Sequence, residues 1–156
     1  MPNWTYNYVE MKGIKKLDIY DKNGNIDFNK IVPEPKTKKE CIEKYGERYI
    51  DNGDRHLQHS NGDEWFNWYD WHCDYWGTKW NAGDSNVEDD SVSFTTAWAE
   101  PLPIWIELSK MCPNVEMKVY ADYEEGFTVE SIYVNGKCIS EIEKEYEYEE
   151  DDDDDE

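Results

Sequence analysis

Between Trp65 and Trp80, eight of sixteen residues are tryptophan, tyrosine or phenylalanine, and no other stretch constrains the fold as much. Aromatic side chains carry large apolar surfaces, so a chain that concentrates them needs a packed core to receive them. Trp65, Trp68 or Tyr69, and Trp71 or His72 recur at intervals of three or four, which predicts a helix from about Asp63 to Tyr75, stopped by Gly77. Across the chain aromatics make up 15% of residues, with 8 Trp and 12 Tyr. That argues for a folded domain with some rings left as sticky surface, and against disorder except at the acidic end.

At 156 residues the chain has the size of one domain. Its net charge is -21, from 16 basic and 37 acidic residues, and such a field opposes general binding to phosphate backbones. The charge is uneven: residues 1–60 sum to +1, residues 61–140 to -11 and residues 141–156 to -11. Consecutive Asp and Glu at the end repel one another, so the expectation is a single domain over 1–147 and a disordered acidic tail over 148–156. The tail fits a solubilising role as well as a binding one.

The start, Met-Pro-Asn-Trp-Thr, has neither a basic nor an apolar leader segment, and no apolar run reaches the roughly 18 residues that span a bilayer. A cytoplasmic protein is expected. Cys41, Cys73, Cys112 and Cys138 are widely spaced with no C-x-x-C pair, so they read as buried thiols, and no cofactor is implied.

Trp4, Tyr6 and Tyr8 alternate with Thr5, Asn7 and Val9, the period of a strand over Trp4–Met11. Asp21–Gly24 is a turn, and Pro33 and Pro35 punctuate the chain ahead of a capping box, Thr37 with Glu40, that opens a helix over Lys38–Tyr45 ended by Gly46. Residues 51–64 read as loop. Ser91–Trp98 is β-branched and aromatic, hence a strand, and Pro101 and Pro103 introduce a helix over Leu102–Met111 with Ile104, Trp105 and Leu108 inward. Val115–Tyr123 and Phe127–Val134 are strands joined at Glu124-Glu125-Gly126, and Asn135-Gly136 turns the chain into Lys137–Ile142. This order segregates helices onto one face of a mainly antiparallel sheet, an α+β sandwich.

Four segments, in order, resemble the YubB-type phage and plasmid proteins with a ferredoxin-like domain: the opening MPNW, FNKIVPEP at Phe28–Pro35, WYDWHCDYWGTKWNAGD at Trp68–Asp84, and FTTAWAEPLP at Phe94–Pro103. The resemblance covers about residues 1–135 and implies a ferredoxin-like α+β fold; it implies little about activity.

Signatures of catalysis are missing: there is no G-x-S-x-G, no phosphate-cradling glycine loop and no H-E-x-x-H, so no catalytic residues are assigned. His56 and His59 form an H-x-x-H spacing and His72 adjoins Cys73, but two histidines on a loop fix no metal geometry, and no metal site is expected. Asp89 and Asp90 suit acid–base work or magnesium, though such pairs are inevitable in this composition. Trp76-Gly77-Thr78-Lys79-Trp80 serves either as a sharp turn with both indoles packed beneath it or as a recognition surface.

Two functions compete. One is a mobile-element inhibitor of a host defence nuclease or effector complex, of anti-CRISPR or anti-restriction type, that mimics nucleic acid in a basic channel. In that reading Asp84, Glu88, Asp89, Asp90, Glu124 and Glu125 face the protein partner, with Trp or Tyr neighbours as apolar anchors. The other is an accessory protein that binds single-stranded nucleic acid on sheet aromatics, served by Lys12, Lys15, Lys16, Lys36, Lys38 and Lys39.

Overall fold

Alternation along the first strand, β1 (Trp4–Glu10), sends Thr5, Asn7 and Val9 into the interior and leaves Tyr6, Tyr8 and Glu10 exposed. The computed structural model describes residues 3–50, 59 and 64–145, so most of the expected 51–64 loop and the acidic end from Tyr148 lie outside the described residues. β1 is central in a six-stranded antiparallel sheet, order β2-β3-β1-β4-β5-β6. The other strands are β2 (Asn86–Val87), β3 (Ser91–Ala97), β4 (Met117–Tyr123), β5 (Phe127–Val134) and β6 (Lys137–Glu145). β1 pairs with β3 on one side, Tyr8 opposite Ser93, and with β4 on the other, Tyr8 opposite Tyr120.

Three α-helices are present among the described residues: α1 (Lys38–Tyr45), α2 (Trp68–Tyr75) and α3 (Leu102–Met111). For α1 the predicted cap forms, the Glu40 N–H donating to Thr37 Oγ1 at 3.0 Å. Gly46 ends it at φ +75, a conformation open to glycine without a Cβ penalty. α2 begins later than its aromatic periodicity suggests. Phe66 is held in a bridge with Ile50, and Asn67 takes the cap position, its Oδ1 accepting from the Asp70 N–H at 3.1 Å. In α3 the three residues expected inward, Ile104, Trp105 and Leu108, are fully buried.

The layers meet through rings. Trp71 of α2 contacts Tyr45 of α1 and Trp76; Trp76 meets Phe28 edge-on at 5.6 Å, Phe28 meets Phe94 of β3 at 5.8 Å, and Phe94 meets Trp105 of α3 at 5.8 Å. Full burial of a ring of this size contributes about 1.5–3 kcal/mol, so this chain of contacts fixes the helices on one sheet face. The opposite face carries Tyr6, Tyr8, Tyr120 and Ile142 exposed to solvent. One expectation needs correction: of the four cysteines, all free, Cys41 is buried, Cys73 and Cys112 are half-buried, and Cys138 is exposed on β6. β6 is the last strand in the sheet order, paired on one side by β5 alone among the described strands, and Cys138, one residue into it, is exposed.

Candidate functional site

The open sheet face is built by register. Tyr8 of β1, Tyr120 of β4, Glu130 of β5 and Ile142 of β6 lie side by side in one row across the sheet. Glu10, Lys118, Ile132 and Ser140 form the next row. Together they line a shallow groove of about 470 Å³. Tyr6 and Trp4 continue the aromatic column along β1, and Trp4 reaches Trp80, the ring centroids 6.0 Å apart.

All six carboxylates expected to face a partner are exposed, but the sheet divides them. Glu88, Asp89 and Asp90 form the β2–β3 turn beyond the Glu10 end of β1, whereas Glu124 and Glu125 form the β4–β5 turn beyond the Trp4 end. A seven-residue strand separates the two turns, roughly 20 Å at strand rise. Asp84 sits apart, just before β2. Some of these groups also hold the fold: Asp90 Oδ1 accepts from the Gly13 N–H at 2.9 Å, and Glu124 Oε1 from the Trp4 N–H at 3.1 Å. Asp89 and Lys15 pair at 3.8 Å with both side chains largely in water, a contact that contributes little.

The Trp76–Trp80 segment divides between the two roles open to it. Trp76 is buried and its Nε1–H donates to the Val32 carbonyl at 2.8 Å. Gly77 turns at φ +80 against Pro103, where a Cβ would lie 2.8 Å from the proline Cδ. Thr78 Oγ1 donates to the Ala97 carbonyl at 2.6 Å. Trp80, by contrast, is 41% exposed, so the expectation of two buried indoles holds for one only. Lys79 Nζ lies 4.2 Å from the Trp80 ring centroid and 4.3 Å from that of Trp98, within the range of a cation–π contact. Trp98 occupies positive φ, +72.

Behind this segment a buried polar cluster joins parts of the chain far apart in sequence. His72 Nδ1 donates to the Lys79 carbonyl at 2.7 Å, and its Nε2 meets Glu34 Oε2. A carbonyl only accepts, so Nδ1 is the donor in the bond to Lys79. His59 Nε2 approaches the Pro35 carbonyl at 2.6 Å, and Glu34 Oε1 is 3.9 Å away. The cluster braces α2 against the Pro33–Pro35 segment and the Trp76–Trp80 turn. Among the described residues no three His, Cys, Asp or Glu side chains gather to hold a metal ion; His56 lies outside them.

Sequence reasoning missed the Lys79–Trp98 contact and the outward aromatic column. The column had a readable signal in the alternation of Trp4, Tyr6 and Tyr8, whereas nothing local announces the backbone of Trp98. No curated protein and no solved structure matches the chain. A family model described as the ferredoxin-like domain in Api92-like protein matches residues 75–156, more than half of the 156 residues. The matched region takes in β2 to β6 and α3, while the central strand β1 comes from the preceding segment. With a six-stranded antiparallel sheet covered by helices on one face, the chain belongs to the family of Api92-like proteins carrying a ferredoxin-like domain.

Proposed function

We propose that this is a binding protein and not an enzyme: a phage or plasmid protein of the YubB type that inhibits a nucleic-acid-directed defence complex in the host cytoplasm by occupying its basic channel. One observation carries the reading. An exposed aromatic centre, Tyr6, Tyr8 and Tyr120, stands between two carboxylate-bearing turns at opposite ends of the same sheet. Aromatic anchors inside a charged rim are the anatomy of a protein interface, and the sign of the rim selects a basic partner. No helix among the described residues is long and apolar enough to cross a membrane.

The test is capture from host extract by the immobilised full chain at physiological and at high salt, with DNA or RNA as competitor. The reading predicts a nucleic-acid-processing complex that nucleic acid displaces, lost with Tyr8→Ala/Tyr120→Ala and weakened by Glu88→Lys/Asp89→Lys. Capture indifferent to nucleic acid and to both variants refutes it.

A second reading, single-stranded nucleic acid stacked along Trp4, Tyr6, Tyr8 and Tyr120, draws on the same column. Against it, Glu10, Asp122 and Glu130 share that face with Lys118 and Lys144. Oligonucleotide binding at low salt with a steep salt dependence would transfer the face to this ligand.

A further inference from the structure

Trp98 is the centre of an uncommon γ-turn. The Ala99 N–H donates to the Ala97 carbonyl at 2.8 Å across it, the Trp98 N–H donates to the Asn3 carbonyl at 2.7 Å, and φ is +72. A residue with a Cβ is strained in this conformation, and such strain persists only where its surroundings enforce it. Its result is an indole raised at the end of β3, 40% exposed, facing Lys79. Trp80 forms the other wall, backed by Trp4 at 6.0 Å, and Tyr69 stands 6.2 Å from Trp98. The Lys79 backbone is pinned by His72, and Thr78 is tied to β3, so the walls are fixed while the lysine side chain keeps its rotatable stem.

The occupant is informative. In a chain with 37 acidic residues against 16 basic, Lys79 makes no ion pair among the described residues. Its ammonium rests on two indole faces instead. We propose that Trp80 and Trp98 form a cage for an arginine side chain of the partner, held in the free protein by the chain's own Lys79. This rests on the reading of a basic protein partner. Guanidinium is planar, weakly hydrated and stacks on indoles, whereas the ammonium is compact and strongly hydrated, so exchange returns to water the cation that water holds better. Protein surfaces that grip phosphates supply such arginines.

The experiment titrates tetra-arginine into the full chain at physiological salt and follows the indole N–H signals by NMR, with Trp80 and Trp98 assigned from Trp80→Phe and Trp98→Gly. Glycine accepts positive φ, so Trp98→Gly removes a wall without straining the fold, which a thermal melt verifies. Both cage signals are expected to move, more with tetra-arginine than with tetra-lysine. Lys79→Ala, which vacates two cation–π contacts, should tighten binding about tenfold. Trp98→Gly should abolish the response at Trp80. The cage is overturned if these two signals stay still, if tetra-lysine moves them equally, if Lys79→Ala leaves affinity unchanged or lower, or if Trp80 still responds in Trp98→Gly. Capture of a basic complex with silent cage indoles sinks the cage alone, whereas responsive indoles without such capture sink the inhibitor reading and leave the arginine site standing.

Discussion

Replacing Glu100 by alanine tests how the helical layer is fastened to the sheet. This residue leads into α3 and is 4% exposed. Its Oε1 accepts from Trp105 Nε1–H at 2.9 Å and its Oε2 from the Tyr123 hydroxyl at 3.0 Å, while that hydroxyl accepts from the Glu100 N–H at 3.2 Å. Alanine leaves an indole N–H and a phenol O–H facing no acceptor. At about 1–3 kcal/mol for each of the two stranded buried donors, the loss should be roughly 2–6 kcal/mol. For a chain of this size that lowers Tm by roughly 5–15 °C. Glu100→Gln keeps an acceptor for one donor and should lose about 1 kcal/mol from the other.

The two variants also separate charge from hydrogen bonding. Burial pushes the Glu100 carboxyl above its ordinary value of 4.5, with the Trp105 and Tyr123 hydrogen bonds pulling it back down. The folded state therefore holds this proton more tightly than the unfolded chain. The resulting stability is fully present below the ordinary value of 4.5 and is lost as pH rises through the raised folded value. Glutamine does not titrate, so the stability of Glu100→Gln relative to the parent should improve as pH rises through that window. Urea unfolding followed by tryptophan fluorescence measures both effects. A loss below about 1 kcal/mol in Glu100→Ala at unchanged m, or a pH-independent gap between parent and Glu100→Gln, would refute the argument.

Gly77→Ala should destabilise by about 2–4 kcal/mol, since positive φ adds its own penalty to a Cβ that meets Pro103. Gly24→Ala, also at positive φ but with nothing within 4 Å of the added Cβ, should cost only about 1–2 kcal/mol; equal losses in thermal melts would show that the contact with Pro103 is immaterial. Maleimide labelling under native conditions should modify Cys138 first and Cys41 last, because Cys138 is exposed and burial pushes the Cys41 thiol up. Labelling of Cys41 at the rate of Cys138, read by peptide mass mapping, would contradict its buried position.

Periodicity revealed what depends on periodicity. α3 reads clearly because two prolines mark its entry and Ile104, Trp105 and Leu108 repeat on one side. Its neighbour α2 was legible as a helix but not in its start, since the decision between Asp63 and Asn67 rests on a bridge from Phe66 to Ile50. Alternation in β1 announced a strand without saying which side is wet. A ranking by hydrophobicity would bury the tyrosines, yet Thr5, Asn7 and Val9 face the helices. At two residues β2 is too short to show any period. The candidate site was legible as composition only. Six acidic residues could be named from the sequence, but the division of five of them between the two ends of the sheet, with Asp84 apart from both groups, follows from the strand pairing. Glu34 and His72 meet across 38 positions, and local sequence does not record such meetings.

Along β6, Glu141, Glu143 and Glu145 point to one side of the sheet, and the strand's outer edge pairs with no other described strand. Two copies meeting antiparallel along this edge, with their sheet faces aligned, would set the glutamate column of one against that of the other, and like charges directly opposite destabilise a strand pair. Acidity at this edge therefore discourages stacking of the protein into open-ended sheets at high concentration.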